Sequence, residues 1–183
     1  MASDVTLCAL QALENCSLGP AGATELAARV LPQLRALQGL FLSSNAIEDA
    51  GIKAIARNLL VCRWLRTLKL DSNKVGDHGA SALFRALHGT VVETVSLSNN
   101  DVGDSGAKAL ARALPSCKSL KFINLHRNQI TNGGARHIAL AVPQAMGLDT
   151  LDLGLNRITE KGERALRIAR EKQVRERNIP RPE

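Results

Sequence analysis

Apolar and polar positions along the chain follow one short frame, in which three apolar residues lead to an asparagine. Leu65, Leu68 and Leu70, for example, precede Asn73 in the order L-x-x-L-x-L-x-x-N. The asparagines that close this frame are Asn45, Asn73, Asn100, Asn128 and Asn156. They stand 28, 27, 28 and 28 residues apart, so the chain contains a tandem repeat of about 28 residues.

Each repeat predicts one strand followed by one helix. In residues 68–70 two leucines flank Lys69, which predicts a short strand with the leucines inward and the lysine outward. After the asparagine the apolar spacing becomes helical, and Ala80, Leu83 and Leu87 share one helix face. The residues at the helix starts are Asp49, Asp77, Asp104 and Asn132. We expect each of them to meet the free N–H groups and the positive dipole end of its own helix.

The apolar frame and its asparagine resemble the leucine-rich repeat motif L-x-x-L-x-L-x-x-N-x-L. The repeat length and the Gly-Ala-x-Ala-Leu helices at residues 79–83 and 106–110 are similar to the ribonuclease-inhibitor-like subfamily. So is Cys16, which takes the asparagine position of an irregular first repeat. The resemblance covers roughly residues 8–175. It implies an α/β leucine-rich repeat solenoid, in a subfamily that includes an enzyme inhibitor, a GTPase activator and the sensing domains of receptors.

Stacking of the units is required because one strand and one helix cannot bury their shared apolar side alone. Parallel strands lie about 4.8 Å apart, whereas packed helices need about 8–10 Å. The stack of about six repeats is therefore predicted to be a curved horseshoe, with a parallel concave sheet and convex helices. The predicted leucine-rich repeat domain spans residues 1–171, and a basic C-terminal tail follows at 172–183. The five asparagines are expected to form a structural ladder that bonds the turn of their own and the next repeat.

The two ends of the stack differ from its middle. Arg170 occupies a helix position that holds leucine or valine in the central repeats, which is typical of a polar terminal cap. At the other end, Leu7, Leu10 and Leu13 are expected near an open edge. Either the first repeat caps itself or a partner chain covers it.

A partner protein would meet the outward strand positions, which form the predicted concave surface. They combine a small and polar centre with an aromatic residue towards each end. The candidate protein-binding residues on this surface are Phe41, Lys69, Asp71, Phe122, Asn124, His126, Arg127 and Asp152. Exposed aromatic residues and arginines are typical interface anchors. Trp64 is a further candidate on the rim, where packing over the adjacent turn is the alternative.

Composition and charge restrict the class of function. The 183 residues correspond to about one domain, and only 2% are aromatic, which argues against a platform that stacks nucleic-acid bases. The net charge is +7, and residues 157–183 hold nine basic and five acidic residues, so this end is a candidate for binding an acidic surface. No apolar run reaches the ~18 residues of a membrane span, and the N-terminus shows no signal-peptide or transit-peptide pattern. These features favour a cytoplasmic location.

Catalysis and metal binding lack a sequence motif. The cysteines form no C-x-x-C pair, and the histidines show no metal-ligand spacing. Cys62 and Cys117 hold equivalent positions two repeats apart, roughly 16–20 Å, which is too far for a disulfide and favours reduced, buried thiols. Cys16 is expected to point into the core. The sequence also lacks a nucleophile elbow, a phosphate-binding loop and a zinc-protease motif, so we predict no catalytic residue, no metal and no cofactor.

Three functions fit this sequence. The first is a non-enzymatic protein-interaction module or scaffold subunit that binds another protein through its concave face and rims. The second, by analogy with the subfamily, is a regulator of a partner enzyme, as an inhibitor or a GTPase activator. The third is a binder of an acidic surface through the basic C-terminal tail.

Overall fold

The sheet is seen in a computed structural model that describes residues 13–34 and 36–178. Five parallel strands form one sheet and follow one another in chain order. They are β1 Gly39–Phe41, β2 Thr67–Lys69, β3 Thr94–Ser96, β4 Phe122–Asn124 and β5 Thr150–Asp152. Each strand pairs with the next in the register of the repeat, so that Leu40 lies opposite Leu68 and Leu68 opposite Val95. Leu7 and Leu10, expected near the N-terminal edge, lie outside the described residues.

One α-helix follows each strand, and another precedes β1. The helices are α1 Gly19–Glu25, α2 Glu48–Asn58, α3 Asp77–Ala86, α4 Asp104–Ala113, α5 Asn132–Ala141 and α6 Glu160–Arg177. Each helix packs against the next one in chain order. Because packed helices are further apart than paired strands, the helices lie on the convex side. The predicted α/β leucine-rich repeat solenoid is therefore confirmed.

The core lies between the sheet and the helices and consists of the repeated apolar positions. The middle residues of the first four strands, Leu40, Leu68, Val95 and Ile123, are at most 1% exposed. The helical spacing likewise buries the inward faces of the helices that follow them. Leu151 in β5 is only half buried, because no further strand of the described residues covers it.

The asparagine ladder lies in the turns that follow the strands. The Asn100 Oδ1 accepts hydrogen bonds from the N–H groups of Asn73 (3.0 Å) and Val75 (2.9 Å). The Asn100 Nδ2 donates to the carbonyls of Leu70 (3.0 Å) and Ser98 (3.1 Å). Three of these four partners belong to the preceding repeat, so the expectation that the ladder bonds the next repeat was wrong. The reason is direction: the N–H groups of each turn point onward, and the asparagine of the following repeat must accept them.

A second ladder joins the helix starts. The Asp77 Oδ1 accepts the N–H groups of Gly103 (2.8 Å) and Gly106 (2.7 Å) at the start of the next helix. Asp104 accepts the N–H (2.7 Å) and the hydroxyl (2.6 Å) of Thr131 in the same way. These acids were expected to cap their own helices. They cap the following helix instead, because its unsatisfied N–H groups and positive dipole end lie beside the carboxylate.

The Asp104 carboxyl is held in its charged form by this ladder. Burial alone would raise the pKa of Asp104, but hydrogen bonds from Thr131 and from the Gly134 N–H, with the charge of His137, together lower it. Because the pKa of Asp104 in the folded state lies below its unfolded value, the Asp104 carboxylate stabilises the fold fully at pH values above the unfolded-state pKa. This stabilisation is lost as the pH falls through the folded-state pKa. Acid therefore weakens the second ladder.

The first described repeat is irregular but keeps the asparagine register. The Cys16 N–H donates to the Asn45 Oδ1 at 2.9 Å, in the same way that the Asn45 N–H donates to the Asn73 Oδ1 at 2.9 Å. Cys16 and Asn45 are 29 positions apart, and a π-helical turn at Leu26–Val30 takes up the additional residue. The Cys16 side chain, expected in the core, is exposed at this end of the described stack.

Arginine closes the C-terminal end of the stack. In the interior, the Lys121 carbonyl accepts the N–H groups of both Asp149 and Thr150 from the next repeat. The equivalent carbonyl in the last repeat belongs to Asp149, and it accepts a hydrogen bond from the Arg170 guanidinium. Arg170 also donates to the Leu148 carbonyl at 2.8 Å. One polar side chain thus replaces the backbone donors of a further repeat.

The last helix continues to pack on this end after residue 171. Gln173 is fully buried, and its amide donates to the Ala145 carbonyl at 2.5 Å. Arg177 donates to the Leu148 carbonyl at 2.6 Å and lies 3.1 Å from the Asp149 carboxylate. The second half of α6 therefore completes the polar cap.

Candidate protein-binding surface

The concave surface consists of the outward strand positions in one aligned row. Phe41, Lys69, Ser96, Asn124 and Asp152 stand side by side in the sheet register. With strands about 4.8 Å apart, the row extends over about 19 Å. The exposed side chains on it form two end groups separated by a polar centre.

The first end group pairs an aromatic ring with a cation. The Lys69 ammonium lies 5.3 Å from the centroid of the Phe41 ring, within the range of a cation–π contact. The ring is half buried because it lies over Gly39, where an added Cβ would come within 2.7 Å of it. Glycine at this position therefore lets the Phe41 ring lie flat across the start of β1.

The polar centre has side chains that are oriented by hydrogen bonds. The Asp71 Oδ1 accepts the Ser98 N–H at 2.7 Å and the hydroxyl of Ser96. The Asn124 Oδ1 accepts the N–H of His126 at 2.9 Å. These side chains are therefore positioned before any partner arrives.

The second end group lies across β4, β5 and the turns after them. Phe122 is half buried, Arg127 is exposed, and His126 Nδ1 lies 3.6 Å from Asp152 Oδ1. The Asp152 carboxylate also accepts the Gly154 N–H at 2.8 Å. At this end of the concave face the Phe122 ring thus stands at the start of β4, whereas Arg127 and the histidine–aspartate pair lie towards the other end of the strands, about 13–16 Å along the chain direction.

Leu155 joins this second end group, and the sequence-based candidates omitted it. Its side chain is 71% exposed, and its backbone is left-handed with φ 51°. The equivalent positions in earlier repeats are Ser44, Ser72, Asn99 and Arg127, and they share this conformation. Asparagine adopts it readily, whereas leucine pays a steric cost. An exposed leucine at a position where polar residues recur was the signal available in the sequence.

Trp64 lies apart from the concave row, in the turn before β2. It is 58% exposed, and the other exposed apolar residues of this rim are Leu60 (62%), Val61 (43%) and Val91 (39%). A Cβ added at Gly89 would lie 3.7 Å from Leu60, which places consecutive repeats in contact here. Trp64 therefore lies on the same rim as these exposed apolar residues and outside the concave row.

A row of charges crosses the same rim. The Glu93 carboxylate pairs with Lys121 at 2.8 Å and with Arg66. The hydrogen bond from Lys121 is the main reason that the pKa of Glu93 is lowered, and Arg66 adds to it. The three side chains come from consecutive repeats, so the row links the repeats by ion pairs and keeps a net charge of +1.

Potential metal ligands are not clustered in the described part of the chain. Within residues 13–34 and 36–178, no group of three His, Cys, Asp or Glu side chains is placed to hold a metal ion. Burial raises the pKa of the Cys62 and Cys117 thiols, which keeps them protonated and unreactive. Among the described helices, none is long and apolar enough to cross a membrane.

Two solved structures share this fold at low sequence identity. The tropomodulin C-terminal domain of Caenorhabditis elegans superposes with a TM-score of 0.67 and 12% identity, covering 83% of this chain and 93% of that one. Leiomodin-1 actin-binding site 2 superposes with a TM-score of 0.61 and 17% identity, covering 85% of this chain and 88% of that one. No curated protein sequence matches the chain.

The family model for the leucine-rich repeat matches four segments of the chain. They are residues 37–56, 61–84, 90–111 and 116–139, and each contains one strand and most of the helix that follows. The asparagine ladder, the parallel sheet and these four segments agree in register. The chain therefore belongs to the leucine-rich repeat family.

Proposed function

We propose that this protein is a non-enzymatic interaction module that binds a protein partner through its concave surface and rims. The observation that carries the proposal is the pair of end groups: Phe41 with Lys69, and Phe122 with Arg127. Aromatic and arginine anchors dominate the energy of protein interfaces. The polar centre between them is already held by backbone hydrogen bonds, so binding orders few additional side chains.

The structural relatives make actin the first partner to test. Leiomodin-1 actin-binding site 2 is named for binding actin, and it shares the horseshoe of this chain. An identity of 17% supports the fold rather than the partner, so actin is one candidate among protein partners.

Three finer assignments accompany the proposal. Repeat length and the Gly-Ala-x-Ala-Leu helices support the ribonuclease-inhibitor-like subfamily. Within that subfamily the chain would act as a cytoplasmic scaffold subunit, or as a regulator that inhibits or activates a partner enzyme. The basic tail is the weakest of these candidates for binding an acidic surface, because two of its cations already lie beside acids. Arg177 pairs with Asp149, and Lys172 lies 3.7 Å from Glu176.

The concave surface is tested by replacing Phe122 and Arg127 together with alanine. We expect binding of the captured partner to weaken by about tenfold or more, as for loss of two interface anchors, with the melting temperature unchanged within about 2 °C. The measurement is affinity capture from native extract with quantitative mass spectrometry, together with cosedimentation with filamentous actin.

A matched control places the same kinds of change on the convex side. Leu140 is 65% exposed and Arg136 is exposed on the same helix, so the double alanine variant removes an apolar side chain and an arginine there. Partner binding should be retained. An unchanged partner profile for the Phe122 and Arg127 variant, or an equal loss in the control, would contradict the concave site.

We also propose that the repeats end at residue 171 and that residues 172–183 act as a basic tail, whose described part, up to residue 178, packs on the last repeat. A chain that ends at Glu171 loses the contacts of Gln173 and Arg177. We expect it to unfold cooperatively with a lower melting temperature, since two or three hydrogen bonds at an exposed end contribute about 1–3 kcal/mol. Loss of cooperative unfolding in calorimetry would instead assign this segment to the domain.

A further inference from the structure

Three consecutive helices carry an arginine at the same position on the convex face. Arg57, Arg85 and Arg112 lie in the last turns of α2, α3 and α4, 28 and 27 residues apart, and all three side chains are exposed. We call these three residues the arginine column. Because adjacent helices pack about 8–10 Å apart, the column places three positive charges at intervals of about 10 Å.

The fold itself does not require the arginine column. A cation in the last turn complements the helix dipole, which accounts for one favourable contact in each helix. However, α5 carries Leu140 at the equivalent position and has no basic residue in its last turn, yet it packs as the others do. The arginines are therefore not needed to end a helix in this stack.

The column has no counter-charge in the described chain. The acids of α2, α3 and α4 are Glu48, Asp49, Asp77 and Asp104, and all lie in first turns, about 12 Å away along each helix. The three aspartates already accept hydrogen bonds from the next repeat. Within residues 13–34 and 36–178, no ion pair involves a member of the column.

Two grooves run beside the arginine column, and small side chains form their floors. The groove between α2 and α3 has a volume of about 410 Å³, with alanines below and Lys53 at its border. The groove between α3 and α4 has a volume of about 500 Å³ and is bordered by Lys108 and His88. Arg85 lines both grooves. A chain crossing the three helices would therefore meet cations on both sides of each groove.

We propose that the arginine column binds an acidic helical segment of a protein partner, at a site separate from the concave surface. A helix rises 1.5 Å per residue, so carboxylates at every seventh residue lie about 10.5 Å apart on one face, which matches the spacing of the column. The floors consist of alanines between α2 and α3 and of alanines and serines between α3 and α4, and they accept small side chains between those carboxylates. The surrounding cations provide electrostatic complementarity.

Other anionic partners fit this surface less well. A nucleic-acid duplex and an anionic membrane surface present no apolar side chains to the small floors of the grooves, whereas one face of a peptide helix does. Of the described residues, the only Phe, Trp or Tyr ring on α2, α3 and α4 is that of Phe84, which is fully buried, so unpaired bases have no exposed ring of this kind to stack on.

The test uses a fluorescent 22-residue helical peptide that carries glutamates seven residues apart, measured by anisotropy at low ionic strength. A comparison peptide has the same composition with glutamates six residues apart, which places them on three faces. We expect the first peptide to bind about fivefold or more tightly than the second. Replacing Arg57, Arg85 and Arg112 with glutamine should abolish that preference, and salt should weaken binding.

A charge-matched control separates the column from net charge. Lys74, Arg157 and Lys161 are exposed and lie outside the helices of the column, so their triple glutamine variant has the same net charge. This control should keep the peptide preference. Equal binding of the two peptides, equal loss in both variants, or column-dependent binding of duplex DNA or phosphatidylserine vesicles without peptide binding would overturn the proposal.

Discussion

Replacing Asn100 with leucine is expected to lower the free energy of unfolding by about 3–5 kcal/mol, because four buried backbone groups lose their partner. The asparagine is 5% exposed and bonds two N–H groups and two carbonyls. Leucine has a similar volume but offers neither an acceptor nor a donor. Three of the orphaned groups lie in the preceding repeat, so the change separates adjacent repeats as well as destabilising one turn.

Urea and thermal unfolding measure this effect, with Asn178→Leu as the control. Asn178 is exposed after the end of α6, so the same chemical change there should alter stability by less than about 0.5 kcal/mol. A variant at Asn100 that melts like the parent protein would show that the ladder does not bear the stability assigned to it.

Replacing Gly134 with alanine is expected to destabilise the protein by about 2 kcal/mol, although alanine is the better helix former. Helix propensity favours alanine by about 1 kcal/mol. Against this, the new Cβ would lie 2.7 Å from the Asp104 Oδ1, 2.7 Å from the Ile130 side chain and 2.9 Å from the Ala107 Cβ. Overpacking typically costs about 1–3 kcal/mol, and the displaced carboxylate also loses its bonds to the next helix.

Gly22→Ala is the control, because Gly22 holds the same repeat position in α1. There an added Cβ meets only the Leu18 side chain, at 3.2 Å and beyond. We expect this variant to be neutral or slightly stabilising in the same unfolding assay. Equal effects at Gly22 and Gly134 would show that the repeated glycine is needed for the backbone of the helix start. It would then not be needed to make room for the aspartate of the preceding repeat.

The repeat, the strand positions and the concave row were all predictable because each rests on a periodicity of two or 28 residues. Leu40, Leu68 and Val95 align in the sheet as their places in the frame predict. The candidate surface was predictable only as a set of outward positions. Leu155 was not chosen as a candidate, although the repeat places it at an outward turn position, and the structure shows its side chain 71% exposed.

The expectations that the structure corrected share a physical cause. Asn100 bonds mainly the preceding repeat, and Asp77 caps the following helix. Each central repeat has a neighbour of similar sequence on either side. The pattern therefore does not indicate towards which neighbour a side chain turns. Cys16 is exposed for a related reason: its position in the frame predicts burial, but it lies at the end of the described stack.

By itself, the sequence determined the strand–helix unit, its period and the stacking of the units, because these follow from side-chain size and polarity at regular intervals. The tertiary structure decided which repeat each asparagine and aspartate bonds and how Arg170 closes the C-terminal end. Those features depend on the direction of bonds and on distances between repeats, and such distances exist only once the stack has formed.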